Sequence, residues 1–314
     1  MTLITGFLGS GKTTLLNHLL QSRAGLRFVI IENEFGDLNV DSALVGASED
    51  TVVALSDGCL CCVVRDDLIA TLLRLAERRE QFDHVLIEAS GLADPAPVLQ
   101  VFETAAVRMS FSLNGAVTVV DARHIAQSLT EVRACAEQIA CADLLLINHT
   151  DKQTPETVGT VEKRLRRINP LAQIQQTEHA QVDLQDVLNL EKRRLGPSIA
   201  DPTAHNHHHD HHHDHHHEED IGSVSVEVVG EVDVQALDDW LGQLVRQEDL
   251  LRMKGVLAVK GQPRQFVFHG VRTVVEVRPA GPWGDAPRRN QVVFIGRALD
   301  ADALRTGFLA CLRV

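Results

Sequence analysis

The sequence predicts an α/β protein: a parallel sheet covered by helices on both faces, followed by a small α+β domain. Three observations predict it. Short runs that are apolar at every position alternate with helix-period segments through the first half, the pattern of strands buried on both sides. A glycine-rich loop joins the first such run to the first helix. A polar, histidine-dense tract then interrupts the chain, and strand-like runs of a different character follow it.

Taken in order, Leu3-Ile4-Thr5 is the first strand and a helix follows over about 11–20. Strands are expected at 28–32 and 51–55. Over 67–79, Ile69, Leu72, Leu73 and Ala76 recur at i, i+3, i+4 and i+7, one face of a helix. Further strands fall at 85–88, 116–120 and 144–148. Beyond the tract, strands are expected at 223–229, 255–259, 265–268, 271–277 and 292–295, with helices at 234–246 and 301–312. The layout divides into a nucleotide domain (1–196), a His-rich flexible linker (197–222) and a C-terminal α+β domain (223–314).

Composition narrows the function. The 314 residues are 44% apolar and 23% charged, ordinary for a globular protein. A formal charge of −13 argues against nucleic acid or an anionic membrane as partner. The longest apolar runs, such as 142–147 with Asp143 inside it, fall far short of the roughly 18 residues of a membrane span. Met1-Thr2-Leu3-Ile4 enters the glycine-rich loop at once, with no secretory pattern, so a cytoplasmic setting is expected. Thiols stay reduced there, and clustered cysteines read as metal ligands or redox groups rather than disulfides. Cys135, Cys141 and Cys311 are scattered and read as small buried hydrophobes.

Gly6-Phe7-Leu8-Gly9-Ser10-Gly11-Lys12-Thr13 fits the G-x-x-x-x-G-K-[ST] pattern, after a strand and before a helix. Gly6, Gly9 and Gly11 let backbone N–H groups turn toward phosphate oxygens, and the helix N-terminus adds its dipole. Ser10 and Thr14 flank the same cradle. Lys12 is expected to reach the β- and γ-phosphates and the Thr13 hydroxyl to hold Mg²⁺. In Val85-Leu86-Ile87-Glu88-Ala89-Ser90-Gly91, Glu88 is placed to hold Mg²⁺ through water, and the Gly91 N–H to sense the γ-phosphate. The catalytic set is therefore Lys12, Thr13 and Glu88, on a P-loop NTPase sheet. Asn148-His149-Thr150-Asp151 is similar to the guanine-reading N-K-x-D pattern. A carboxylate at Asp151 accepts two guanine donors that adenine lacks, so GTP and GDP are the expected nucleotides.

Gly58-Cys59-Leu60-Cys61-Cys62 puts three sulfurs within four positions. Adjacent residues of a strand point to opposite faces, so Cys59, Cys61 and Cys62 converge on one ion only if the backbone leaves the extended form. Thiolates at about 2.3 Å suit Zn²⁺. Three ligands leave a position open to an incoming group, which is how a metal is handed on. The nearest carboxylates are Glu32, Glu34 and Asp37, and the loop 32–41 is read as the nucleotide-responsive switch.

The combination GFLGSGKTTLLNHLL, IENEFGDLNVD, GCLCC, EASGLADP and INHTD resembles the CobW-like P-loop GTPases, relatives of the UreG and HypB nickel-insertion GTPases. LLRMKGVLAV and VVFIGRALDADAL resemble that family's C-terminal domain, so the likeness spans nearly the whole chain. EASG stands where ESSG or ETTG is usual, and His149 stands where lysine is usual. The resemblance implies a GTP-hydrolysing zinc metallochaperone and favours Glu32 and Asp37 as cargo or switch ligands. A metal-receiving client is the implied partner.

His205 and the three triplets His207, His208, His209, His211, His212, His213, His215, His216 and His217 make ten of the sixteen histidines. Neutral imidazole ligates metal. About 22 flexible residues span roughly 25 Å, so the tract can feed weakly held metal to the thiolate site at high effective concentration. Cobalt or another divalent cargo, a storage protein with an idle nucleotide site, and a homo-oligomer are left open by the residues.

Overall fold

The computed structural model describes residues 1–22, 25–33, 51–54, 62–190, 221–284 and 287–313. Its first strand, β1 (Thr2–Thr5), is buried at every position. Around it lie β2 (Phe28–Asn33), β3 (Thr51–Ala54), β4 (His84–Ala89), β5 (Gly115–Asp121), β6 (Leu144–Asn148) and β7 (Gln173–Gln176). They form one sheet in the order β3-β2-β4-β1-β5-β6-β7, with all neighbours parallel. Parallel neighbours need crossovers, and helices supply them: α1 (Lys12–Gln21), α2 (Cys62–Ala76), α3 (Ala96–Val101), α4 (Ala105–Arg108), α5 (Ile125–Glu131), α6 (Arg133–Cys141) and α7 (Pro155–Ile168), while α8 (Leu184–Leu188) follows the last strand. Strand side chains alternate between two covered faces. On one, Ile4, Val117, Val119, Leu144 and Leu146 share a buried cluster with Leu15 and Leu19 of α1 and Leu184 and Val187 of α8. The parallel sheet with helices expected from the sequence is found.

The chain reverses its direction of travel across the sheet at β1. It moves to β2 and β3 on one side, returns to β4, and only then crosses to β5, β6 and β7. Sheets of this kind bind ligands beyond the carboxyl ends of their strands, at such a reversal. The loop after β1 occupies that place.

Several element bounds differ from the sequence reading. α2 begins at Cys62 rather than 67; its first turn carries Val63 and Val64, residues of low helix propensity. The last helix, α10 (Ala301–Ala310), stops before 312, and β14 (Leu312–Arg313) pairs with β9 (Glu231–Val232). Leu304, Phe308 and Leu312 keep helical spacing across that end, so periodicity alone cannot locate it. Strand β10 (Asp249–Ala258) starts six residues earlier than 255. Its Arg252 and Lys254 alternate with Met253 and Leu257, and the charges hid the strand.

Clustering of contacts divides the chain into two compact units, Met1–Arg166 with Ala172–Glu191, and Arg167–Leu171 with Lys192–Val314. In the second unit, β8 (Ile221–Val229), β10, β11 (Arg264–Val271), β12 (Val274–Pro282) and β13 (Arg289–Arg297) form an antiparallel sheet in the order β12-β11-β10-β13-β8. α9 (Val234–Gln247) and α10 cover one face of it. Asp233 and Asp300 cap these helices, each accepting two backbone N–H bonds. Met253, Leu257, Phe268, Phe294, Leu304 and Phe308 make the core. Trp240 meets the Phe294 and Phe308 rings edge-on at 5.9 and 6.0 Å. A Cβ on Gly307 would run into the Trp240 indole nitrogen, so only glycine lets α10 approach there. No helix among the described residues is long and apolar enough to cross a membrane.

Candidate functional site

The site begins where β1 ends. Gly6, Gly9 and Gly11 have φ of 138°, 72° and 110°, a backbone region that L side chains rarely adopt. At Gly6 a Cβ would strike the Val119 carbonyl, and at Gly11 it would stand 2.5 Å from Asn148 Nδ2. Within the loop Ser10 N–H donates to Phe7 O at 3.2 Å. Gly9 and Gly11 N–H donate to no backbone acceptor among the described residues. Ser10 Oγ is buried without a hydrogen-bond partner. A phosphate chain supplies the acceptors that such a loop lacks, so the loop fits one.

Lys12, 9% exposed, folds back over the loop and its Nζ donates to Phe7 O at 3.4 Å. Thr13 and Thr14 face solvent at the helix start. Thr13 Oγ1 donates to Glu88 Oε1 at 3.2 Å, bringing together residues from α1 and β4. A hydroxyl beside a carboxylate is a hard oxygen pair of the kind that Mg²⁺ takes. Gly91 lies close on the phosphate loop: a Cβ there would stand 2.6 Å from Leu8 Cδ2 and 2.8 Å from Leu8 N.

Asn148, 1% exposed, ties three segments together. Its Nδ2 donates to Ser10 O at 2.9 Å, and its Oδ1 accepts from Ala180 N at 3.0 Å. His149 follows with φ 61°, and Asp151 is exposed in the next 3₁₀ turn. His149 Nε2 is 4.0 Å from Asp121 Oδ2. Burial holds the His149 pKa below the ordinary value against the pull of Asp121, which leaves the ring neutral at neutral pH. Burial would raise the Asp121 carboxyl, but three hydrogen bonds from Arg123, one of them from its backbone N–H, and the charge of Arg123 outweigh it and lower it.

The structure thus gathers Gly6, Gly9, Ser10, Gly11, Lys12, Thr13, Glu88, Gly91 and Asn148 at the carboxyl ends of β1, β4 and β6. Of the metal-binding candidates, Cys59, Cys61, Asp37 and the histidines of 207–217 lie outside the described residues. Cys62 is the first residue of α2, and Glu32 is in β2, in register with Glu88. Among the described residues no group of three or more His, Cys, Asp or Glu is disposed to hold a metal. Cys135, Cys141 and Cys311 are buried free thiols. Burial pushes the Cys311 thiol up to about 11, so it stays protonated and inert.

Two contributors were missed in the sequence. The 177–181 loop enters through Ala180, whose role depends on a backbone N–H and leaves no residue signature. Gln138 of α6, 1% exposed, donates from Nε2 to Gly91 O and Ala93 O, both at 3.1 Å. A glutamine beside Glu137 on the buried side of α6, between Cys135 and Ile139, was the available signal.

Comparison with known proteins agrees with this geometry. The profile described as "CobW/HypB/UreG, nucleotide-binding domain" matches residues 1–176, and that of the "Cobalamin synthesis protein cobW C-terminal domain" matches 221–312. The chain is 33% identical over 318 residues to the zinc chaperone YjiA of Escherichia coli, covering 98% of this chain and 97% of that one. It is 34% identical over 337 residues to the zinc chaperone CobW of Pseudomonas aeruginosa, covering 97% and 89%. The crystal structure of Zn(II)-bound YjiA GTPase from E. coli superposes with a TM-score of 0.76 at 30% identity, covering 99% of this chain and 98% of that one. With its phosphate loop, its strand-end glutamate and both domains matched, the chain belongs to the CobW/HypB/UreG family of P-loop GTPases.

Proposed function

We propose that this GTPase is a metallochaperone that holds Zn²⁺ on Cys59, Cys61 and Cys62 and passes it to a client protein in the cytoplasm according to its nucleotide state. One observation carries the reading. Ile4, Glu88, Glu32 and Ala54 stand in register across β1, β4, β2 and β3. Ala54, the residue from which the chain departs toward the cysteines, is therefore two strands from Glu88, about 10 Å at the usual strand spacing. β3 ends on the same side of the sheet, at the strands' carboxyl ends, as β1, and Cys62 is the first residue of α2.

The nucleotide chemistry follows from the residues. The phosphate loop and Lys12 bind the phosphates of GTP, and Asn148 with Asp151 recognises guanine. Thr13 directly, and Glu88 through water, hold Mg²⁺, which neutralises charge on the phosphates when bound. Gly91 N–H reports the γ-phosphate. Glu32 and Asp37 lie in the chain between the phosphate loop and the cysteines, where a switch that adds or withdraws a carboxylate ligand would act. The histidine tract collects Zn²⁺ weakly and supplies the tighter thiolate site. Relatives named as zinc chaperones support zinc as the cargo.

A metal-competition titration tests the reading, using a chromophoric chelator with Zn²⁺ and with Co²⁺. Wild type and a Cys59/Cys61/Cys62→Ser variant are each loaded with GDP or with the β,γ-imido analogue of GTP. The variant should lose the tight site, and wild-type zinc affinity should differ between the two nucleotides. Equal affinity in both states removes the nucleotide-dependent delivery.

A further inference from the structure

We infer that Gln138 is the positioning residue that sets the γ-phosphate-sensing segment 90–93, so that it tunes the response to GTP without taking part in GDP binding. The inference rests on the reading of Gly91 given above.

The Gln138 amide has two hydrogens, and both are used: one on Gly91 O and one on Ala93 O. The segment turns tightly on itself, with Ala93 N–H donating to Ser90 O at 3.0 Å. The amide spans that turn from behind and fixes the carbonyls on either side of Leu92. The Gly91 carbonyl and the Gly91–Leu92 peptide plane are thereby held, while the Gly91 backbone stays pressed on Leu8 of the phosphate loop.

The same residue is anchored at its other end. Its carbonyl accepts from Thr118 Oγ1 at 3.0 Å. Thr118 has one hydroxyl hydrogen, spent on that bond, so the 2.9 Å contact between Thr118 Oγ1 and Thr5 Oγ1 is donated by Thr5. Thr5 is the last residue of β1, immediately before Gly6. A continuous polar chain therefore runs from the root of the phosphate loop through β5 and α6 to the loop beyond Glu88. Phe7 and Leu8 of the phosphate loop line one cavity with Gln138.

Glutamine is the side chain this position needs. Methionine matches its length but donates nothing, and would leave two carbonyls without a partner. Glutamate would set a carboxylate against them. In either case segment 90–93 loses its fixed geometry, and the γ-phosphate-dependent part of binding weakens.

The experiment measures affinity of the full-length protein for GDP and for the β,γ-imido analogue of GTP, with kcat for GTP hydrolysis, in wild type, Gln138→Met, Gln138→Glu and Gly91→Ala. Gln138→Met should weaken analogue binding about tenfold, the factor equal to about 1.4 kcal/mol, and lower kcat. Its GDP affinity should stay within about twofold, since a lost hydrogen bond at this loop does not touch the diphosphate. Gln138→Glu should show the same split, larger. Equal losses for both nucleotides would make Gln138 merely structural, and unchanged values for both would make it idle; either overturns the inference. If Gly91→Ala binds GDP and keeps the wild-type ratio of the two affinities, the sensing role of Gly91 falls and the inference with it. If only Gly91→Ala shifts the ratio, that role stands and the inference alone falls.

Discussion

Replacing Asn148 with alanine separates two roles that one side chain can play here. The amide joins Ser10 O to Ala180 N, and both bonds are buried. Removing it leaves a carbonyl and an N–H without partners, at about 1–3 kcal/mol each. Two effects offset part of this sum. Water entering the vacated space re-pairs one group. His179 and Ala180, at φ 52° and 54°, are also freed from left-handed backbone that the amide helps to hold. A net loss of about 3 kcal/mol is expected. For a cooperative unit of this size that corresponds to a fall in Tm of roughly 6–12 °C. Thermal unfolding by circular dichroism, without nucleotide, measures it, and calorimetry measures GDP affinity on the same variant. GDP binding should weaken as well, because the Ser10 peptide belongs to the phosphate cradle. Were Asn148 only a reader of the base, the nucleotide-free Tm would not move and the whole effect would appear in GDP binding. That result would refute the tie.

Three further outcomes are expected. Lys12→Ala should lower steady-state phosphate release from GTP by roughly 10²–10³-fold; a rate near wild type would show that Lys12 does not act on the phosphates. Glu88→Gln keeps an oxygen to accept from Thr13 but loses the charge, so half-maximal hydrolysis should need at least about tenfold more Mg²⁺; an unmoved Mg²⁺ titration would remove Glu88 from the metal site. His84, bonded to Thr2 Oγ1 at 2.9 Å, has its pKa lowered by burial to about 3 from an ordinary 6.5. The folded state then resists protonation that the unfolded chain accepts, so its stability is whole above about pH 6.5 and is lost as pH falls toward 3. Between pH 6.5 and 4.5 wild type should lose about 2–3 kcal/mol more than His84→Gln, read by urea unfolding across that range; parallel pH profiles would show that the ring is not held neutral.

The strands of the first unit could be read because burial on both faces leaves runs such as Leu144-Leu145-Leu146-Ile147 with no polar position to misplace. The phosphate loop could be read because three of its backbone conformations exclude any side chain, which forces glycine into the sequence. What could not be read depends on the far end of a contact. Asn148 looked like a base-recognition residue, but the structure also gives both ends of its amide a partner within the protein. Gln138 lies in α6, a helix not among those expected from the sequence, and its targets, two carbonyls some 45 residues away in the chain, leave no trace in composition. In the second unit, the sequence reading starts β10 late because Arg252 and Lys254 break its apolar run, although Arg252 is buried.

The order of the strands constrains how a nucleotide could speak to a metal in this fold. Glu88 stands between β1 and β2 in the sheet, with Ile4 on one side and Glu32 on the other. A change at the γ-phosphate reaches the proposed cysteine site either across that row or through the segment after β2. Side chains packed within the sheet resist graded displacement, so the coupling is proposed to run through the sequence 32–41, which starts at the end of β2. If GTP and zinc both favour one arrangement of that sequence, each raises the other's affinity by the same factor. A client that draws off zinc then also lowers the affinity for GTP, and a protein locked with the imido analogue should transfer less zinc to that client at equilibrium than the GDP form. Equal transfer in the two nucleotide states would refute the coupling, and greater transfer from the analogue-bound form would mean that GTP and zinc favour opposite arrangements.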